Sequence, residues 1–141
     1  MYTLWHWIAF QTTAMRCHVW KPRFLFHDSL KPLAMIWFRG DYEKVQRWHR
    51  AHSRHHLEYE GRRPKDYLGM VIDWECARLT KEAKPMNALQ KFKSIQDSIS
   101  AQEQASITDA LIETHLAWPQ YYFNMETMKM ETVLEDFLHV V

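Results

Sequence analysis

The sequence has few residues of the types that interrupt helices or form cross-links between loops. Its 141 residues include 3 glycines, 5 prolines and 2 cysteines. Few turn signals of the kind that punctuate β-sheets therefore remain, and long stretches rich in Ala, Leu, Met, Glu, Lys and Gln favour helices. The cysteines, Cys17 and Cys76, match no CxxC pattern, as expected for a protein kept in a reducing setting. The composition predicts an all-α fold.

Long apolar runs and targeting signals are also missing. The N-terminal stretch "MYTLWHWIAF" is apolar, but it is too short to span a bilayer and it contains a histidine. No segment follows the basic, apolar and small-residue order of a signal peptide. We therefore expect a cytoplasmic protein with no membrane partner. With 47% hydrophobic and 25% charged residues, the composition is that of one globular domain, and we expect a single domain over residues 1–141.

A net charge of only +1 hides two opposite biases. Residues 1–93 contain 17 Lys and Arg against 9 Asp and Glu, a net charge of +8, whereas residues 94–141 contain one Lys against 8 acids, a net charge of −7. We expect acidic C-terminal helices to pack beside a basic lobe, within the chain or in a homodimer. A basic lobe favours an anionic ligand such as a phosphate. The alternative is two solvated faces of opposite bias.

Helical periodicity and capping residues divide the chain into helices. Thr3, Asp41 and Asp66 are the predicted N-caps, and Pro22 suits a first turn. The predicted helices cover residues 3–18, Pro22 to just before Pro32, the apolar stretch "LAMIWF", 41–60, 66–81, 86–100, 103–117 and 125–139. The fold class is thus a single-domain helical bundle, with residues 1–93 as its core and 94–141 as acidic C-terminal helices.

Two predicted helices place polar residues on inward faces. His6, Phe10, Thr13 and Cys17 share one face of the first helix. Asp73 lies between Met70 and Ala77 on the inward face of the helix at 66–81. A buried carboxylate without a partner is costly, so Asp73 needs a cation. That cation is either a metal ion or the guanidinium of an arginine.

The stretch "WHRAHSRHH", residues 48–56, holds four of the nine histidines. Histidine is the commonest neutral ligand for transition metals, so the run indicates a metal site. At about 100° per residue, His49, His52 and His56 share a helical stripe and His55 points away. The alternative is a solvated basic face formed with Arg47, Arg50 and Arg54.

Further candidate ligands precede and follow this run, and they are spread over several predicted helices. Imidazoles and carboxylates on inward faces of a bundle form a site for one or two divalent ions, here Mn, Fe, Zn, Ni or Mg. The full set of candidate metal ligands is His6, His27, Asp28, His49, His52, His55, His56 and Asp73.

The order of these residues resembles that of the HD-domain metal phosphohydrolases, which are helical bundles with His…His-Asp…Asp ligands. In this resemblance His6 matches the first histidine, His27-Asp28 the doublet, His52 or His49 with His55-His56 the intervening ligands, and Asp73 the last. The stretches "HDSLK" and "HHLEYEG" are similar to the HD-x-G-K and HHE-x-W-x-G segments of the cyclic-dinucleotide phosphodiesterase branch. The resemblance implies that Asp28 acts in catalysis and that Lys31 contacts a phosphate or the transition state.

A closer resemblance is to a family of small proteins, many from bacteriophages, classed as a domain of unknown function. The stretches "HDSLKP", "WHRAHSRHHLEY" and "MVIDWECARL" carry it, and with His6 they cover residues 6–79, about half the chain. Leu30 stands where that family has Ser before the lysine, and the Asn of its histidine-rich run is missing. The family has no tested activity, so this resemblance implies an HD-like fold and a metal site only.

These features together favour a divalent-metal phosphohydrolase that acts on a nucleotide or a related phosphoester. A metal ion lowers the pKa of water toward neutrality so that it attacks phosphorus. Glu58 or Glu60 is the candidate general base. The side chains expected to steer and clamp the phosphate are Arg50, Arg54, Arg62 and Arg63. Aromatic residues that either stack a base or fill the core are Trp48, Tyr59 and Tyr67.

Two other classes of function remain open at this stage. One is a metal-stabilised binding protein without turnover, such as a phage factor that captures a host protein or a nucleotide in the host cytoplasm. The other is a helical module that binds nucleic acid through the basic lobe, with an affinity that falls steeply with salt.

Overall fold

The computed structural model describes residues 2–117, 122–124 and 129–131 of the chain, and side chains within 4–117. Over these residues the chain forms six α-helices and a two-stranded β-ribbon. The elements are α1 (Tyr2–Arg16), α2 (Lys31–Trp37), α3 (Tyr42–His52), α4 (Asp66–Thr80), α5 (Ala88–Ile95), α6 (Ala101–Glu113), β1 (Tyr122–Asn124) and β2 (Lys129–Glu131), with 3-10 turns at Pro22–Phe26 and Gln96–Ser98. The prediction of a helical bundle is confirmed for residues 2–117.

Helix α4 is the centre of the bundle. It packs against α1 on one side and α6 on another, while α5 contacts both α4 and α6, and α2 packs on α3. Ile72 joins Phe10 in the core between α4 and α1, and Val71 joins Leu111 in the core between α4 and α6. Ten of the 15 residues of α4 are buried, including Asp73. A polar side chain on this helix therefore lies in the middle of the molecule.

The predicted faces of α1 and α4 are confirmed, and their predicted ends differ by one or two residues. His6, Phe10, Thr13 and Cys17 are all buried. Because α1 begins at Tyr2, Thr3 lies inside the helix and is not its N-cap. The N-cap position of α4 is occupied by Lys65, so Asp66 lies in the first turn.

The helix predicted between Pro22 and Pro32 is wrong. A 3-10 turn covers Pro22–Phe26, and α2 then begins at Lys31 with Pro32 in its first turn, where a missing N–H does no harm. Asp28, between the two, has φ +59°. This left-handed conformation cannot continue a right-handed helix, and Asp is one of the few residues that tolerates it.

The helix predicted over 41–60 begins as expected and ends early. Asp41 caps α3 by accepting a hydrogen bond from the Lys44 amide at 3.1 Å. The helix stops at His52, because Ser53 adopts an extended conformation with φ −106° and ψ 121°. Residues 53–61, called the His loop below, follow without helix.

Arg62 holds the His loop in place. Its guanidinium donates to the carbonyl oxygens of His56 at 3.0 Å and Tyr59 at 2.6 Å, and also to that of Leu57. The same group pairs with Glu103 of α6. These contacts replace the hydrogen bonds that a longer α3 would have formed.

The C-terminal half begins as predicted and then departs from the prediction. Asn87 and Ser100 form capping boxes that start α5 and α6. The helix predicted over 125–139 is wrong at Lys129–Glu131, which pairs antiparallel with Tyr122–Asn124. Residues 125–128 and 132–139 of that prediction lie outside the described residues.

The expected contact between acidic and basic regions is present along α6. Glu103 pairs with Arg62, and Glu113 lies 3.6 Å from the Lys21 ammonium. Acids of the C-terminal region therefore pack beside the basic region within one chain. Among the helices that the structure describes, none is both long enough and apolar enough to cross a membrane.

Candidate metal centre

Seven of the eight predicted ligands converge in one buried cluster beside α4. Five separate parts of the chain contribute: α1, the turn before α2, α3, the His loop and α4. Distances between side-chain nitrogen and oxygen atoms give two groups with no residue in common and a third, His27, Asp28 and His55, that overlaps both. The members are His6, His27, Asp28, His49, His55, His56 and Asp73.

The first group consists of His6, His27 and Asp73. His6 Nε2 lies 2.8 Å from Asp73 Oδ1, and His27 Nε2 lies 3.6 Å from the same oxygen. All three residues are buried, and their ligand atoms lie within 4.8 Å of one another. Two imidazoles and one carboxylate at this spacing are able to hold one borderline divalent ion.

The second group consists of His49, His55 and His56. Their ligand atoms also lie within 4.8 Å of one another. The ring centroids of His55 and His56 are 4.3 Å apart, and those of His49 and His56 are 4.9 Å apart. Three imidazoles in such a group are typical of a site for zinc or another transition metal.

Asp28 lies between the two groups and faces both of them. Its Oδ2 is 3.8 Å from His6 Nε2 and 3.7 Å from His27 Nε2. Its Oδ1 is 2.8 Å from His49 Nε2 and 3.6 Å from His55 Nε2. The carboxylate thus has one oxygen toward each group, which is the arrangement needed to bridge two cations. The left-handed backbone at Asp28 sets this orientation, and strained backbone of this kind often occurs at functional sites.

Five buried atoms of the cluster form no hydrogen bond of good geometry among the described residues, although two of them, His49 Nε2 and Asp28 Oδ1, lie 2.8 Å apart. They are His27 Nε2, Asp28 Oδ1, His49 Nε2, His55 Nε2 and His56 Nε2. A buried polar atom without a partner costs about 1 to 3 kcal/mol, so five together need an explanation. All five are ligand atoms for metals, and the Lys31 ammonium pairs with only one of the two carboxylates, Asp28, among the described residues. The residues present therefore fit a divalent cation.

Hydrogen bonds on the far side of two rings orient their Nε2 atoms inward. His6 Nδ1 lies 3.2 Å from Thr80 Oγ1, and His49 Nδ1 lies 2.9 Å from Ser53 Oγ. Metal-binding histidines usually make such a second contact, which fixes the ring and its tautomer. Sequence reasoning missed both hydroxyls, although Ser53 is four residues from His49, a spacing that brings side chains together. Nothing in the sequence connects Thr80 to His6.

Burial favours the neutral form of three imidazoles of the cluster, those of His27, His49 and His56. It lowers the pKa of His27 to about 4, against the attraction of the neighbouring Asp73 carboxylate, which raises it. The ring of Phe10 stacks on His27 at 3.6 Å and contributes to this burial. Burial also lowers the pKa of His56 to about 2, together with the neighbouring His55, and it lowers the pKa of His49. Neutral rings keep the lone pairs that a metal ion requires.

The carboxylates of the cluster stay ionised although they are buried. Burial alone would raise the pKa of Asp28, but the imidazoles of His49, His55 and His27 and the Lys31 ammonium hold it far below its usual range. Burial would likewise raise the pKa of Asp73, and His27 and His6 hold it well below. Charged carboxylates beside neutral imidazoles form a site with a net attraction for cations.

His52 lies outside the cluster, so its placement among the ligands is wrong. Its side chain is exposed, its Nδ1 is 2.8 Å from the Trp48 carbonyl, and its ring stacks on the Trp48 indole at 4.9 Å. The prediction of a stripe shared by His49, His52 and His56 assumed a helix through residue 56. Because α3 ends at His52, the His loop turns His55 inward instead.

The four arginines predicted to bind phosphate do not lie together in the structure. Arg54 is exposed and lines a cavity of about 410 Å³ that reaches His27, Asp28, His49 and His55. Arg50 pairs with Glu58 at 3.4 Å, and both line a second cavity of about 340 Å³ that reaches His56 and Asp73.

Arg62 and Arg63 do not face either of these two cavities. Arg62 is occupied by the His loop and by Glu103, and Arg63 lies 3.6 Å from Asp66. The assignment of Arg62 as a phosphate clamp is therefore wrong, because the fold occupies its guanidinium, whereas that of Arg63, whose side chain is half exposed, stays a prediction.

Lys31 and the aromatic candidates also have defined positions. Lys31 is buried and its ammonium pairs with Asp28, so it neutralises that carboxylate directly. Tyr67 is buried in the core between α4 and α6, and Trp48 stacks on His52. Trp74, which follows Asp73, lines the second cavity and was not singled out by sequence. The signal in the sequence that could have identified Trp74 was its position directly after the predicted ligand Asp73.

Comparison with family models, with curated proteins and with solved structures finds no match for the chain.

Proposed function

We propose that this protein is a divalent-metal-dependent phosphohydrolase that acts on a nucleotide or a related phosphoester. The observation that carries the proposal is the convergence of seven histidine and aspartate side chains in one cluster, in which five buried ligand atoms form no hydrogen bond of good geometry. Buried polar groups arranged in this way destabilise the fold without a cation, and they serve as ligands when a cation binds.

The donor set favours a borderline transition metal. His6, His27 and Asp73 would hold one ion, the second group of three histidines would hold another, and Asp28 would contact both. Imidazole suits Zn, Fe, Ni and Mn, whereas Mg prefers oxygen ligands and water. Two divalent ions, when bound, supply a nucleophile at neutral pH and neutralise charge on a phosphoryl group.

Residues of the chain itself supply the remaining parts of the reaction. Lys31 balances the charge of Asp28 and keeps its carboxylate in place. Arg54, exposed in the first cavity, is free to contact a phosphate oxygen. Glu58 lines the second cavity with His56 and Asp73, and it would accept a proton there. A guanidinium and a carboxylate on the walls of the site thus perform phosphate binding and proton transfer.

The order of the ligands along the chain is further support. The His…His-Asp…Asp order resembles that of the HD-domain phosphohydrolases, and its members meet in space here. The free thiols of Cys17 and Cys76 are consistent with the cytoplasmic setting that we propose for this activity.

Elemental analysis of the purified protein, followed by a panel of phosphoesters, tests the proposal. We expect bound Zn, Fe, Ni or Mn and release of phosphate or alcohol from at least one substrate. Asp28→Ala should lose both metal and activity. Asp109→Ala, which removes an exposed carboxylate of α6, should keep both. Turnover that survives in Asp28→Ala, or a protein without metal, would contradict the proposal.

A second candidate function is metal-stabilised binding of a partner without turnover. The observation that favours it is the exposed apolar side of α2, where Leu33, Ile36 and Trp37 are 63%, 77% and 82% exposed. Such patches often mark interaction surfaces. Under this alternative the metal would be present while every phosphoester in the panel stays intact.

A further inference from the structure

Two separate cavities reach the metal cluster. The first, called the Arg54 cleft, has a volume of about 410 Å³ and touches His27, Asp28, His49 and His55. The second, called the Lys84 cleft, has a volume of about 340 Å³ and touches His56 and Asp73. The two clefts share no lining residue. His55 and His56 are adjacent in sequence, yet each lines a different cleft.

Each cleft contains cations that form no ion pair with a carboxylate among the described residues, although the Asp73 carboxylate attracts the Lys84 ammonium. Arg54 and the Lys65 ammonium line the first cleft, and Lys84 and Lys91 line the second. None of these four side chains has an ion-pair partner among residues 4–117. By contrast, Arg50 in the second cleft pairs with Glu58. Unpaired cations on both sides attract an anionic ligand into both clefts.

Each cleft also offers an aromatic surface next to its cations. Phe26, 74% exposed, lines the Arg54 cleft together with Phe10 and Phe24. Trp74 lines the Lys84 cleft together with Leu57 and Met86. Clefts of 300 to 1,000 Å³ with apolar walls and a few polar groups are typical ligand sites. Each cleft is therefore large enough for one organic group of about nucleoside size.

A phosphomonoester has one organic group on phosphorus, whereas a phosphodiester has two. A cluster with a single cleft would serve a monoester, but here one cleft reaches the cluster at Asp28 and another reaches it at Asp73. We propose that the substrate is a phosphodiester whose two separate organic groups lie in the Arg54 cleft and the Lys84 cleft. This inference rests on the proposed phosphohydrolase function and names the class of its substrate.

The reaction is a hydrolysis that needs no further reactant. A bond forms between the oxygen of water and phosphorus, and the bond between phosphorus and one ester oxygen breaks with its electron pair. One proton of the water ends on the leaving oxygen, which departs as an alcohol. The other proton ends on the second product, a phosphomonoester.

Four thymidine and nitrophenyl compounds test the inference with the metal-loaded protein. Thymidine 5′-(p-nitrophenyl phosphate) and bis(p-nitrophenyl) phosphate have two organic groups. p-Nitrophenyl phosphate has one, and 3′,5′-cyclic thymidine monophosphate attaches both ester oxygens to one nucleoside. We expect kcat/KM to be at least about tenfold higher for the first two compounds. A higher value for either of the last two would overturn the diester inference and leave the phosphohydrolase proposal standing.

Substitutions in each cleft give a second readout on thymidine 5′-(p-nitrophenyl phosphate). Arg54→Ala/Lys65→Ala and Lys84→Ala/Lys91→Ala should each raise KM about tenfold with little change in kcat and in metal content. Arg47→Ala and Lys93→Ala remove exposed cations outside both clefts and should leave KM unchanged. If only one double variant raises KM, the substrate occupies one cleft and the inference is wrong. If a metal-loaded protein turns over none of the four compounds, both the inference and the proposed function fail.

Discussion

His6 and Asp73 are 67 positions apart in the chain, and their side chains meet with Nε2 and Oδ1 2.8 Å apart. Helices α1 and α4 pack side by side to make this contact. The first and the last of the predicted ligands are thereby brought into one site. A cluster assembled from such distant positions depends on the packing of the whole bundle. Substitutions of ligands and of the residues that support them should therefore have different effects on metal binding.

His55 and His52 differ in their expected contribution to metal binding. His55→Ala should weaken metal affinity by more than about 100-fold, because removing a ligand costs more than the 10–100-fold typical of an outer contact. His52→Ala is the matched control, since His52 is exposed and stacks on Trp48. Competition with a chromogenic chelator measures both affinities. Equal losses in the two variants would mean that α3 extends through the His loop.

The contrast between His55 and His52 also shows which part of the site could not be predicted from the sequence. The residue types of the ligands and their order along the chain could be predicted from the sequence. Few structural roles other than ion binding explain His and Asp at inward positions of amphipathic helices. The end of α3 could not be predicted from the sequence. Arg62 fixes the His loop by donating to its carbonyl groups and by pairing with Glu103, which is 41 residues from Arg62 in the chain. The helix propensity of the local sequence gives no information about a contact between residues so far apart. The left-handed backbone at Asp28 was hidden for a similar reason, since Asp is also acceptable within a helix.

Thr80 should support metal binding without contacting the metal. Its hydroxyl lies 3.2 Å from His6 Nδ1 and orients that ring. Thr80→Val should lower metal affinity by about 10–100-fold while the fold persists. Thr12→Val is the control, because Thr12 is an exposed helical threonine whose hydroxyl bonds only to a carbonyl four residues earlier. An unchanged affinity in Thr80→Val, measured by chelator competition, would exclude this supporting role.

Arg62 should matter for stability and not for phosphate binding. Arg62→Met removes several hydrogen bonds to the His loop and leaves Glu103 without its cation. We expect the free energy of unfolding to fall by roughly 2–4 kcal/mol, as is usual when one member of a partly buried charged network is lost. Urea unfolding measures this loss, and Arg63→Met, at an exposed pair with Asp66, should change it little. A raised KM with unchanged stability would restore Arg62 as a substrate residue.

The stability of the metal-free protein should fall in mild acid. The folded state holds His27 neutral with a pKa of about 4, whereas the unfolded chain takes up a proton below its ordinary value of 6.5. This contribution is fully present above pH 6.5 and is lost as the pH falls toward 4. Its size is about 3 kcal/mol, from the free energy of one pKa unit.

Urea unfolding in the presence of a chelator, repeated between pH 7.5 and pH 4, measures that loss. His27→Gln should make the pH dependence less steep while His49 and His56 account for the remainder, and His115→Gln, at an exposed position, should leave it unchanged. An equally steep dependence in His27→Gln would place the responsible group elsewhere.

The bridging position of Asp28 is the central claim, and metal stoichiometry tests it most directly. Plasma mass spectrometry of protein purified with a saturating transition metal should find two ions per chain in the wild type. Asp28→Asn keeps a residue that tolerates the left-handed backbone but removes the charge shared by both groups, so we expect it to retain fewer than one ion. Asp109→Asn should retain two. Two ions bound to Asp28→Asn, or none bound to the wild type, would contradict the account.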